Sequence, residues 1–123
     1  MKTFFMVRGQ FTYEEAVQRI CAAHGGQMAT SRSIEEFNFI PDGVGLQIGE
    51  RAWINLKRVS SGSSDFQWMF NPMVDDLKKF LEGAQFRSGN CVGLERRSQS
   101  IFGWQVFECD FSMSIICETF TML

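Results

Sequence analysis

The chain has 123 residues, 45% hydrophobic and 21% charged, with a formal net charge of −2. That is one domain's worth of chain, and its 13 phenylalanines and low net charge exclude a disordered segment, which is aromatic-poor and strongly charged. The near-neutral balance carries no footprint for nucleic acid or general membrane attraction, and no apolar run is long enough to span a bilayer.

Thr3, Phe4, Phe5 and Val7 favour extended backbone, so residues 2–8 are read as a strand that Gly9 ends. The same stretch is faintly like a signal peptide, but Arg8 interrupts the apolar run and no small-residue cleavage site follows. An export signal or anchor, if there is one, is expected outside this sequence. Thr12-Tyr13-Glu14-Glu15 is a capping box. Ala16, Val17, Ile20 and Cys21 then recur at helical spacing, and Gly25-Gly26 stops the helix. Ser33-Ile34-Glu35-Glu36 is a second capping box, opening a short helix with Phe37 and Ile40 on its apolar face. Pro41-Asp42-Gly43 is expected to close that helix.

Ala52–Leu56 reads as a strand with Trp53 and Ile54 partly buried. Ser60–Ser64 is a turn, and Phe66-Gln67-Trp68 a short strand. From Met69 to Asn90 the pattern weakens into a long irregular excursion, with a short helix around Asp75–Leu81. A loop of that length in a compact domain is usually functional or poorly ordered. Cys91–Leu94, part of Phe102–Cys109 with Trp104, Val106 and Phe107 inward, and Met113–Glu118 complete the strands. The order is strand, helix, helix, then several strands, an α+β arrangement of helices flanking antiparallel strands, with the first and last strands paired. One domain over residues 1–123 is expected. The doublets Lys78-Lys79 and Arg96-Arg97 are read as solvated surface.

Four cysteines stand at positions 21, 91, 109 and 117. An even count suits two disulfides, and cysteine arithmetic leaves all three pairings open. With no CxxC pair and only His24, distant from the last three cysteines, a zinc site is disfavoured. Disulfides persist in oxidising compartments, which points outside the cytosol; four buried thiols in a cytosolic protein are the competing reading.

Taken in order, these pieces resemble the C-type lectin-like domains. The resemblance runs through Phe11–Ala16, Cys21, Gly25–Ala29, Glu36-Phe37, and Trp53-Ile54-Asn55-Leu56 at the place of the family's WIGL strand. It continues through Phe66–Trp68, Asn90-Cys91-Val92, Trp104, Cys109 and Ile116-Cys117-Glu118. It implies a lectin-like fold with a long irregular loop, and the pairing of Cys21 with Cys117 and Cys91 with Cys109.

Sugar-binding members hold calcium through a Glu-Pro-Asn or Gln-Pro-Asp triplet in the long loop and an Asn-Asp pair after a tryptophan. Calcium takes several hard, partly anionic oxygen ligands. Here Glu82-Gly83-Ala84-Gln85 occupies the triplet's place without a proline, Pro72 comes too early, and Gln105-Val106 follows Trp104. Valine cannot ligate, so no metal and no cofactor is expected; Asp75, Asp76 and Glu82 are read as solvated. Nothing resembles an assembled catalytic site, and Glu14-Glu15 and Glu35-Glu36 sit in first helical turns, where the helix dipole accounts for them. The resemblance therefore implies an extracellular, non-enzymatic recognition module. Its expected partner is a protein, met through Met69, Phe70, Pro72, Phe80, Leu81 and Phe86 on the long loop where these are exposed rather than filling a secondary core beneath it, with a loop-swapped dimer as a variant. A second expectation is calcium-independent binding of anionic glycans by Arg51, Lys57, Arg58, Arg87, Arg96 and Arg97. A third is a structural module of a larger extracellular protein.

Overall fold

The computed structural model describes residues 2–30, 34–58, 66–68 and 89–120. The chain opens with β1 (Lys2–Phe11), which pairs antiparallel with the last strand, β7 (Met113–Phe120). The expected stop at Gly9 does not occur. Instead the β1–β7 register shifts between Val7 and Phe11, and this irregularity absorbs the glycine within the strand. The Gly9 N–H donates to Ser114 Oγ at 3.2 Å, and a Cβ at Gly9 would run into the Phe11 ring.

The first helical run has three parts: α1 (Tyr13–Glu15), a π-type segment (Ala16–Ile20) and α2 (Cys21–Ala23). The capping box forms as expected, with Glu15 N–H donating to Thr12 Oγ1 and Thr12 N–H donating to the Glu15 carboxylate. Gly25, with φ +79°, takes the left-handed turn that ends the run. Its N–H reaches the Ala22 carbonyl and that of Gly26 reaches Cys21, so two orphan carbonyls are satisfied. A side chain at Gly26 would strike the Glu118 carbonyl, which explains why two glycines stand together here.

After the two-residue strand β2 (Gln27–Met28) comes α3 (Ile34–Gly43). The helix closes at Gly43, within the expected Pro41-Asp42-Gly43 stretch, with Pro41 inside its last turn and Gly45, φ +71°, taking the left-handed turn that follows. Leu46 N–H donates to the Pro41 carbonyl at 2.8 Å and Gly45 N–H to Asp42 at 3.2 Å, again the paired closing bonds of a left-handed cap. The buried Pro41 has no N–H to offer the preceding turn, so the last turn of α3 forgoes one backbone hydrogen bond. Ser33, the expected cap of α3, lies outside the described residues.

The remaining strands are β3 (Arg51–Arg58), β4 (Phe66–Trp68), β5 (Cys91–Arg96) and β6 (Phe102–Phe107). The sheet order is β1-β7-β3-β5-β6, with β2 added on β7 and β4 on β3. Most pairs are antiparallel; β3 runs parallel to β7, with Ala52 opposite Ser114 and Trp53 opposite Ile115. β3 is central, and both its faces are covered. Ala52, Ile54 and Leu56 enter one core cluster with Val92, Leu94, Trp104, Val106 and Ile116. Trp53 enters the other, with Tyr13, Cys21, Met28, Cys91 and Ile115. Trp53 and Ile54 are therefore fully buried rather than partly so, the pattern of a strand with core on both sides. Trp104 and Val106 point inward as expected, and Phe107 is half-buried.

Both disulfides form, Cys21 to Cys117 and Cys91 to Cys109, in the pairing that the resemblance implied. This removes the zinc and free-thiol readings of the four cysteines. The first ties α2 to β7, and the second ties the start of β5 to the segment that follows β6.

Candidate functional site

The sheet fixes where the long loop leaves and returns. β4 pairs with β3 through Leu56 opposite Trp68, and β5 pairs with β3 through Lys57 opposite Cys91. The loop stems therefore flank the C-terminal end of β3, two strand spacings or roughly 10 Å apart. The return stem is tightly held. Gly89 adopts φ +110°, where an added Cβ would press on the Phe107 backbone at 2.5 Å, and two residues later Cys91 is locked to Cys109. The candidate contacts Met69, Phe70, Pro72, Phe80, Leu81 and Phe86 lie outside the described residues, as do Asp75, Asp76, Glu82 and Arg87.

The calcium-position residues on β6 are described. Val106 is a core residue, only 6% exposed, and packs in the cluster with Val92, Leu94 and Trp104. Gln105 is half-buried opposite Gly93. These two positions offer a calcium ion one neutral amide and no carboxylate, and a hard dication does not fit them. Among the described residues no group of three or more His, Cys, Asp or Glu side chains is placed to hold a metal.

His24 lies at the C-terminal end of the first helical run, with Nδ1 2.9 Å from the Ile20 carbonyl oxygen. That is a role in finishing the helix.

Among the described residues two charged side chains are buried. Glu118 on β7 is fully enclosed; it accepts from the Thr30 N–H at 2.6 Å, the Thr30 hydroxyl at 3.0 Å and Gln27 Nε2 at 3.1 Å. A buried carboxylate persists only when hydrogen bonds replace its lost water. The reading of Arg96 as solvated surface is corrected as well. Its side chain is 7% exposed, with Nη2 donating to Asp42 at 2.6 Å and Nη1 to the Gln99 carbonyl at 2.5 Å. Its guanidinium also lies 5.7 Å from the Phe102 ring centroid. Arg96 falls on the inward face of β5 and reaches across to α3, a placement that depends on tertiary packing.

Its neighbour Arg97 does face solvent, and so does Arg51. Arg51 Nε donates to Glu95 at 2.5 Å and Arg97 Nε to the same carboxylate at 3.0 Å. Burial alone would raise the Glu95 pKa, but hydrogen bonds from Arg97 and Arg51, with their charges, outweigh it and hold the carboxyl below its ordinary value. Arg8 holds Glu50 in the same way, through a hydrogen bond of 3.1 Å, and lowers its pKa. Neither cluster was legible beforehand, since residues 44 and 42 positions apart in sequence meet only through sheet pairing.

The fold, the disulfide pairing and the Trp104–Cys109 segment now stand together, and residues 10–119 match the model of the lectin C-type domain. The chain belongs to the C-type lectin domain family. Among solved structures, the C-type lectin domain of murine dendritic cell inhibitory receptor 2, in complex with N-glycan, superposes with TM-score 0.81 at 17% identity. The match covers 98% of this chain and 91% of that one. The cow carbohydrate-recognition domain of CD23, with a GlcNAc2Man3 oligosaccharide, gives TM-score 0.73 at 19% identity, covering 99% and 90%. Natural killer cell receptor Ly49C gives TM-score 0.68 at 16% identity, covering 100% and 97%. At these identities the likeness is one of fold. A comparison with curated protein sequences finds no match. C-type lectin domains are generally binding modules rather than enzymes, and in this one no helix among the described residues is long and apolar enough to cross a membrane.

Proposed function

We propose that this C-type lectin domain is an extracellular recognition module that binds a protein ligand through its long-loop face without calcium. The observation that carries the reading is Val106, which fills the core at a position where sugar-binding relatives present a carboxylate. The lectin frame is kept, while the described half of the calcium set is replaced by a core valine and a neutral amide. The loop sequence supports a protein partner, because Met69, Phe70, Pro72, Phe80, Leu81 and Phe86 are many apolar side chains for one loop. The rigid return stem at Gly89 and Cys91 is what such a loop needs in order to be presented in one place. Extracellular placement is supported by two disulfides in a domain of this size.

The test has two readouts. Fluorescently labelled domain is bound to cells with and without chelator, and compared with a Phe70→Ser, Phe86→Ser variant. The expected result is binding indifferent to chelator and reduced at least tenfold by the variant. Thermal melting is expected to be unmoved by millimolar calcium, because an ion that binds only the native state must raise the Tm. A calcium-raised Tm overturns the calcium-free reading, and unchanged cell binding of the variant overturns the loop-face reading.

A further inference from the structure

At the end of β3 away from the loop, the sheet register brings two arginines to one carboxylate. Arg51 and Glu95 are direct partners across the β3–β5 pair, and Arg97 follows two positions after Glu95 on the same side of the chain. From Arg51 to Lys57 the strand spans roughly 20 Å, so this cluster and the loop stems are well separated. Glu95 is enclosed, 14% exposed, whereas the side chains of Arg51 and Arg97 are 50% and 56% exposed.

Each arginine uses only Nε on Glu95. A guanidinium carries five N–H donors in a planar fork, so both Nη groups of each side chain are left, and none has a partner among the described residues. Arg51 is further steadied by lying 5.5 Å from the centroid of the Phe107 ring. The trio of two cations and one anion keeps a charge of +1. Fixed guanidinium forks with spare donors and uncompensated charge are the chemistry that captures an oxyanion. Two other arginines are engaged elsewhere: Arg96, a candidate too, is buried on Asp42, and Arg8 pairs with Glu50.

The surroundings narrow the ligand. A cleft of about 280 Å³ beside Arg51 is lined by Gln10, Glu50, Ser112 and Ser114, a set of amide, hydroxyl and carboxylate groups. Phe107, the ring beside Arg51, is met edge-on at 5.9 Å by Phe111, which is 51% exposed and offers an apolar platform. Hydroxyl-matching groups, a ring face and an arginine fork suit a polyhydroxylated anion better than a peptide.

We infer that Arg51 and Arg97, positioned by Glu95, form a second binding site, for the sulfate or carboxylate group of an anionic saccharide. It is independent of the long-loop reading, and neither depends on the other.

The experiment titrates the intact domain with a sulfated heparin-derived hexasaccharide at physiological salt, alongside an acidic glutamate-rich peptide. Melting curves check that each variant is folded. The expected result is saturable binding of the saccharide, weakened at least tenfold in the Arg51→Gln, Arg97→Gln variant. The Arg19→Gln control, altering an exposed arginine on the first helical run, is expected to bind as the parent does. The Arg51→Lys, Arg97→Lys variant separates fork geometry from bulk charge: a lysine cannot hold Glu95 through one nitrogen while presenting two others, so it too is expected to lose binding at least fivefold. Full binding by the lysine variant, equal loss in the Arg19 control, absence of binding at physiological salt, or preference for the peptide each overturns the inference.

Discussion

The two disulfides close loops of very different size, and that difference predicts unequal consequences for removing them. Cys21–Cys117 spans a sequence separation of 96 and Cys91–Cys109 one of 18. In the chain-entropy account, the cross-link restricts the unfolded chain by about 4.7 kcal/mol for the long loop and about 3.2 kcal/mol for the short one. Packing adds to the contrast, since Cys21 and Cys117 both sit within the second core cluster while Cys109 is only half-buried against it. With an unfolding entropy near 0.26 kcal/mol/K for a chain of this length, the Cys91→Ala, Cys109→Ala variant is expected to melt roughly 12 °C below the parent. The Cys21→Ala, Cys117→Ala variant is expected to melt roughly 18 °C below it, or not to fold. Accessibility orders their reduction too, because an attacking thiolate must reach a sulfur, and Cys109 is the more open. Circular-dichroism melts of both variants, with mass spectrometry of alkylated thiols under graded reductant, measure both quantities. An equal or larger Tm loss in the Cys91–Cys109 variant, or first reduction of Cys21–Cys117, refutes the reasoning.

Two further outcomes follow from buried and paired groups. Tyr13 is 4% exposed, packs edge-on against Trp53 at 5.5 Å, and its hydroxyl has no hydrogen-bond partner among the described residues. Tyr13→Phe keeps the ring and removes the desolvated hydroxyl, so it is expected to stabilise by about 1–2 kcal/mol in chemical denaturation; destabilisation beyond about 0.5 kcal/mol would contradict this. Burial pushes the Tyr13 phenol above its ordinary pKa, so above about pH 10 the unfolded chain loses a proton that the folded one keeps. Stability is then expected to fall as pH rises through that range, and the phenylalanine variant to lose that component of the fall. The acid side has the opposite sign. Glu50 and Glu95 have lowered pKa values, so the unfolded state binds their protons first as pH falls. Their contribution is present above roughly pH 4–5 and is lost below it. A Glu50→Gln, Glu95→Gln variant is expected to show a flatter urea midpoint between pH 5 and pH 3, read by titration of melts; an unchanged slope would contradict the assignment.

Local patterning in the chain was enough to place most elements. The Thr12–Glu15 capping box, the Gly25-Gly26 stop, the alternation around Trp104 and Val106 and the run at Ile115-Ile116-Cys117 each express a single period or a single cap. Such signals need no partner to be read. A boundary went wrong where a local rule met a tertiary one. Gly9 did not end β1, because Ser114 on β7 supplied its hydrogen bond. The closure of α3 at Gly43, by contrast, is local, completed by the Gly45 and Leu46 N–H groups on the Asp42 and Pro41 carbonyls.

The candidate sites divide along the same line. That Gln105 and Val106 bring no carboxylate was legible in the sequence alone, since it is a matter of residue type. Which of Arg51, Arg96 and Arg97 faces water was not, because adjacent arginines on a strand differ only in the face they take. Only the register of β3 against β5, and the packing of β5 against α3, decided that Arg96 is spent on Asp42. The same register is what delivers Arg51 and Arg97 to one enclosed carboxylate. The four cysteines illustrate both halves: their number left three pairings open, the family resemblance implied one of them, and the fold sets Cys21 beside Cys117 and Cys91 beside Cys109.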